Sequence, residues 1–445
     1  VRAYVRAIEL VPSFQRAFSA TAYSRLPSLL YTETSNVRVG LAVAPDTLWF
    51  WAEPGLDQDT LVFVPYPRAD VQEYRAPALS RTVVAAVDRN RELLHSLALG
   101  WADAFPLSAD AYESLALTLE SGGEISGDSD KRSALAATRQ ARRLAADPSQ
   151  RFRLTAAEVR LRLKTEDFRG ARDLADSVLE ATPPTAEDAR GLAALAALTG
   201  RARKSAALRR GAAPVDTVLA WDATPVLVPA ALKEPALALL AYGSLGAPRD
   251  SIEALERDIA RQVRSWVEPG QQLRIRDALL YVPMSFAFPT TGVRDVHRTR
   301  AGDYSLLRAQ RDLAAGDTAA VRAVVAEWDA ALRYSRPADY AIEFTYHAAW
   351  LLRAIGDSAG AAGRLDISLT AFPTLGRLLC HDVPQAAALV HALALRADLA
   401  AGAADRATAA RWAGAVVTLW SDADPELQPI VKRMRALASN AAPRR

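Results

Sequence analysis

At 445 residues, 50% hydrophobic and 24% charged, the chain has the composition of a soluble globular protein. It is longer than the roughly 250–300 residues at which single cores stop growing, so it must be several domains or a stack of repeats. With 54 basic against 51 acidic residues and a formal net charge of +3, it is not a one-sidedly basic nucleic-acid binder. Its lone cysteine, Cys380, excludes an intrachain disulfide or a thiolate metal cluster.

No stretch approaches the ~18 uninterrupted apolar residues of a membrane span, and no leader pattern opens the chain. Val1 stands in mid-pattern of a helix, which predicts that residues precede it. Tyr4, Ala7, Leu10 and Pro12 read as the end of a second helix in a helical hairpin. Small residues let two antiparallel helices approach, an aromatic fills the gap to the next pair, and proline stops the helix. A further helix is expected over 14–30. Residues 35–77 are irregular, interrupted by Pro45, Pro54, Pro65 and Pro67, and read as an ordered loop or insertion with a short extended run at 61–64.

From Leu79 the helical period strengthens. Leu94, Ala98, Trp101 and Pro106 take second-helix positions. Ser108 caps a helix over 109–120 with Tyr112, Leu115, Ala116 and Leu119 on one face. A helix over 131–146 closes at Pro148. Arg139, Arg142 and Arg143 read as its solvated outer face rather than as a nucleic-acid stripe, since nearby acids balance them. Residues 152–184 read as a full hairpin turning at Asp167. Thr185 and Asp188 form a capping box, and Gly200 starts a shorter helix.

Residues 213–229 are linker-like; 230–245 with 250–266 make another pair around Gly246, and 271–280 a further helix. Regularity breaks over 281–299 and resumes over 301–334, turning at Gly316 and Asp317. The pattern is plainest over 342–421. There an Ala/Leu-rich helix, a turn carrying Asp and a second helix occur twice, with turns at Gly356–Asp357 and Ala404–Asp405. Asp424 and Pro425 are expected to cap and open a final helix covering the last apolar face.

These small-residue, turn and proline positions resemble the tetratricopeptide repeat, with its period of ~34 residues. The matches are Ala171, Ala175, Val178 and Pro183; Ala361, Leu365, Ser368 and Pro373; and Ala409, Ala413 and Val416. Thr345 and Ala349, or Leu393 and Ala397, replace the family's usual first-helix Trp and Gly. The resemblance implies an all-α, right-handed solenoid of antiparallel helix pairs with an irregular N-terminal insertion. Its expected segments are 1–78, a partial first repeat plus insertion; 79–300, degenerate pairs; and 301–445, regular repeats with a capping helix.

In such repeats the first helix of each pair lines the concave face. That places Arg153, Arg160, Arg190, Gln310, Glu343, Tyr346, Trp350, Arg353, His391 and Asp398 there as partner-binding candidates. Arg, Tyr and Trp concentrate interface energy, at ~2 kcal/mol or more for a buried anchor, so Trp350 with Tyr346 and Arg353 is the leading group. The competing reading is that Trp350 packs between repeats.

Catalytic motifs are absent. The histidines lack a second ligand at helical spacing. Cys380, His381 and Asp382 diverge by ~100° each if helical, so a hydrolase built on them is the weakest alternative. The implied function is non-enzymatic binding of a protein or peptide segment, with no cofactor, metal, nucleic acid or membrane span. The layout, above all 420–429, is also similar to the repeat tails of bacterial eukaryotic-like serine/threonine kinases. That resemblance implies a sensory or docking tail whose kinase domain lies upstream. Oligomeric state stays open, as does compartment, cytoplasm or periplasm.

Overall fold

The computed structural model describes residues 38–43, 47–53, 62–67, 95, 98–126, 133–180, 185–211, 218–219, 226–227, 257, 261, 305–332, 342–374, 379–380 and 383–439. The helices expected over 14–30, 230–245 and 271–280, most of 250–266, and the break at 281–299 lie outside them. The chain divides into two compact units, 1–165 and 166–445. The boundary falls inside the hairpin expected over 152–184.

In the first unit the irregular insertion contains an antiparallel meander: β1 (Arg38–Val43), β2 (Thr47–Glu53) and β3 (Val62–Pro67). Gly40 pairs with Trp51, and Trp51 with Phe63. An ordered loop was expected here, with an extended run at 61–64 alone. Prolines break the helical period, but β-branched and aromatic residues suit paired strands, and pairing along a chain is invisible to a period search.

Helices follow: α1 (Ala109–Ser121), α2 (Ala134–Leu144) and α3 (Pro148–Lys164). Ser108 caps α1 as expected, its Oγ accepting from the Ala111 amide. Leu115, Leu119 and Ala116 pack with Ala98, Trp101, Ala134, Ala137 and Ala141 into one core. Pro148 opens α3 instead of closing α2: Asp147 accepts from the Gln150 amide and Pro148 takes the first turn. Proline there lacks only an N–H that would have no helical partner.

The second unit holds α4 (Phe168–Leu179), α5 (Ala186–Leu198), α6 (Ala202–Gly211), α7 (Ser305–Ala314), α8 (Thr318–Leu332), α9 (Ile342–Ala354), α10 (Ser358–Thr370), α11 (Val383–Gly402), α12 (Arg406–Leu419) and α13 (Gln428–Ser439). The 213–229 linker contributes a two-residue β ribbon, Val218 and Leu219 against Leu227 and Val226. The pairs α5/α6, α7/α8, α9/α10 and α11/α12 pack as hairpins.

One turn device recurs. Gly316, Gly356 and Ala404 take positive φ, as does Glu166 before α4. Each precedes an Asp whose carboxylate accepts an amide three residues on: Ala320, Gly360, Thr408 and Gly170. The left-handed residue ends one helix and the Asp starts the next. Between α9 and α10, Ser368 donates to Thr345 (3.2 Å), both fully buried. A small hydrogen-bonded pair thus lets the two helices approach closely.

The packing is not confined to neighbours in sequence. Helix α11, rich in Ala and Leu on every side, is buried along nearly its whole length. A helix apolar all round needs partners all round. It packs on α9, α10, α12 and α13, and also on α5, while α4 packs on α12.

Residues 420–426 fasten that closure. The Trp420 indole donates to the Leu198 carbonyl (3.1 Å), and the Asp424 amide to the Gly200 carbonyl (3.0 Å). Asp424 was expected to cap the final helix. Its carboxylate makes no cap bond there and instead accepts the Arg203 amide in the first turn of α6 (2.8 Å). Pro425–Leu427 forms a 3-10 turn before α13.

Candidate partner-binding face

Five of the expected face residues, Tyr346, Trp350, Arg353, His391 and Asp398, lie on α9 and α11, which pack together, and α11 in turn packs on α13. The Tyr346 ring stacks on His391 (centroids 5.7 Å), and His391 meets Trp420 edge-on (5.3 Å). All three are buried.

Asp398 of α11 accepts two bonds from Arg433 of α13, both 3.1 Å, and lies 3.6 Å from Arg353 of α9. Both guanidiniums are about half exposed, at 47% and 50%, whereas Asp398 is sheltered. Burial pushes the Tyr346 hydroxyl above its ordinary range; Arg353 draws it down less strongly, and Asp398 adds to the rise. Trp350, one turn before Arg353, is partly buried, with its ring 6.5 Å from His347. Burial alone depresses the His347 imidazole to about 3, so it is neutral at pH 7.

The other candidates are placed elsewhere. Glu343 and Gln310 are buried on α9 and α7. Arg190 is half-buried on α5. Arg153 is exposed on α3 of the first unit, while Arg160 on the same helix is committed to an internal triad. There Glu120 accepts from Arg160 (2.8 and 2.7 Å) and from Lys164 (2.7 Å). Burial pushes the Glu120 carboxyl up, but the charges and hydrogen bonds of Arg160 and Lys164 outweigh it and hold it at about 2.

Sequence reasoning missed Arg433. Asp398 is set on α11 and Arg433 on the capping helix, and no spacing rule links positions 35 apart. Of the expected Cys380–Asp382 cluster only Cys380 is described, half-buried with φ 61°. No grouping of His, Cys, Asp and Glu suited to a metal occurs among the described residues, and no helix among them is long and apolar enough to cross a membrane.

The packing defines the class of protein, a helical-repeat protein of antiparallel helix pairs, with a small antiparallel meander inserted near its start. No protein-family model and no curated protein matches the chain. Among solved structures it is similar to the TPR domain of P58(IPK), at 12% identity over 84% of this chain and all of that one, with a TM-score of 0.22. It is also similar to the Naa15/Naa10 structure bound to HypK-THB, at 13% identity over 83% of this chain and 62% of that one, with a TM-score of 0.20. Scores this low leave the architecture resting on the chain's own packing.

Proposed function

We propose that this is a non-enzymatic scaffold that binds a protein or peptide segment at the α9/α11/α13 face. The observation that carries the reading is Arg353 and Arg433 held about half exposed by one sheltered carboxylate, beside the partly buried Trp350. A fixed guanidinium next to an indole joins a directional hydrogen-bond donor to a large apolar surface, and such pairs dominate interface energies. Because two hydrogen bonds to Asp398 hold Arg433 before any partner arrives, that side chain has less entropy left to lose on binding.

The test is selection of peptides from a displayed random library. Sequences enriched on the wild-type chain should lose at least about tenfold in affinity for Trp350→Ala/Arg353→Ala, the loss of one anchor. The melting temperature should stay within a few degrees. Equal loss of stability and binding would assign Trp350 to packing between repeats.

The kinase-tail reading rests on residues 420–429, and the bonds of Trp420 and Asp424 to the α5–α6 turn give part of that segment a role in folding. The reading frame upstream of Val1 decides it: a kinase domain and a membrane span there would support it.

A further inference from the structure

The chain-wide charge balance conceals a local excess in the first unit. Helix α2 carries Arg139, Arg142 and Arg143 and no acid. Positions three and four apart share a helix face, so the three guanidiniums form one short strip.

The strip has a fixed base. Arg139 donates to Glu158 of α3 at 3.0 Å, and Arg142 reaches the same carboxylate at 2.9 Å. Arg162 also donates to it, at 3.0 Å. Glu158 is 1% exposed, whereas the Arg139 and Arg142 side chains are 40% and 33% exposed. One buried carboxylate thus holds two solvent-facing arginines of α2 while sharing its charge with a third from α3. Arg143, exposed, donates to the neutral Gln140 amide.

Surface arginines normally sample many rotamers; here two are anchored, and among the described residues a single carboxylate, Glu158, is bonded to both. Fixed guanidiniums bind oxyanions in pairs of parallel hydrogen bonds.

We infer that the Arg139–Arg142–Arg143 strip is a docking surface for an acidic protein segment, one that presents carboxylates at one-turn spacing. The site is independent of the α9/α11/α13 face and would stand if that reading failed. Its size favours a peptide over nucleic acid. Neutralising three anions suits a short acidic stretch, whereas protein–nucleic-acid affinity is assembled over ~6–10 phosphates.

The experiment is fluorescence anisotropy with the whole chain and a labelled oligoglutamate peptide, with an oligoglutamine peptide of equal length as control. Oligoglutamate should bind and oligoglutamine should not, and the affinity should fall steeply as salt shortens the screening length. Arg139→Ala/Arg142→Ala should weaken binding about tenfold or more. Because that variant strips partners from a buried carboxylate, Arg143→Glu serves as the second. It reverses an exposed charge without touching Glu158, and should weaken binding several-fold with an unchanged circular dichroism spectrum. Absence of oligoglutamate binding, or equal binding by wild type and Arg143→Glu, would overturn the inference. So would an oligothymidylate strand that binds the same strip more tightly, which would make it a nucleic-acid site.

Discussion

Ala404 adopts φ 60° at a turn where Gly316 and Gly356 stand in the equivalent places. The left-handed region costs an L-residue roughly 1–2 kcal/mol, and glycine gives part of that back through its looser unfolded chain. Ala404→Gly should therefore raise stability by about 0.5–1 kcal/mol in urea denaturation. Two buried ionisable residues make stability depend on pH on the acid side. His347 is depressed from the ordinary 6.5 to about 3, so the unfolded chain binds the proton first. Its contribution is complete above pH 6.5 and is lost as pH falls toward 3, at up to ~1.4 kcal/mol per pH unit. Glu120, depressed from 4.5 to about 2, adds stability that is present above pH 4.5 and lost between there and 2. His347→Phe should flatten the stability profile between pH 6.5 and 4.5, where Glu120 is still ionised; an unchanged slope would refute the assignment. Glu120→Gln leaves Lys164 and Arg160 sheltered without their carboxylate, and should cost ~3–5 kcal/mol.

At the scale of elements, the same Asp-led turn joins α7 to α8, α9 to α10 and α11 to α12, whereas the turn between α5 and α6 is built differently. Gly200 takes φ 75°, and a Cβ there would stand 2.6 Å from the Ala423 Cβ and 3.0 Å from the Trp420 ring. Gly200→Ala combines backbone strain with a collision, and should cost about 2–4 kcal/mol. Asp424→Ala separates two accounts of the segment 420–429. If Asp424 capped the final helix, α13 would fray. Because its carboxylate accepts the Arg203 amide, hydrogen exchange should quicken in α6 by the equivalent of ~1 kcal/mol and leave α13 unchanged. Arg172 with Asp422 and Arg203 with Glu426 lie on the surface beside these bonds and should contribute little.

At the scale of the second unit, Trp420 is the stitch between helices some 222 residues apart in sequence. It is 1% exposed, so Trp420→Ala should cost about 3–5 kcal/mol and raise exchange in α5 and α11 together. Loss confined to α11–α13 would mean that the helices behave as a simple linear array. The hairpins at 305–332, 342–370 and 383–419 were legible because each is fixed by contacts within about forty residues: small inner residues, a left-handed turn, an Asp cap. Tyr346, Trp350 and Arg353 could likewise be read as one face, since helical spacing sets their direction. Arg433 and the α2 strip's hold on Glu158 could not, because each depends on which helix faces which.

By itself the sequence determined the helical-hairpin architecture, the turn chemistry and the helical spacing that sets Trp350 and Arg353 one turn apart on α9. All of these are set by short-range periodicity, where backbone geometry leaves few options. The tertiary structure decided that α5 returns to α11, that Asp424 caps a helix far away in sequence, and that residues 38–67 pair as strands. Such choices depend on burying apolar faces against one another, and a face records that it needs a partner without recording which one.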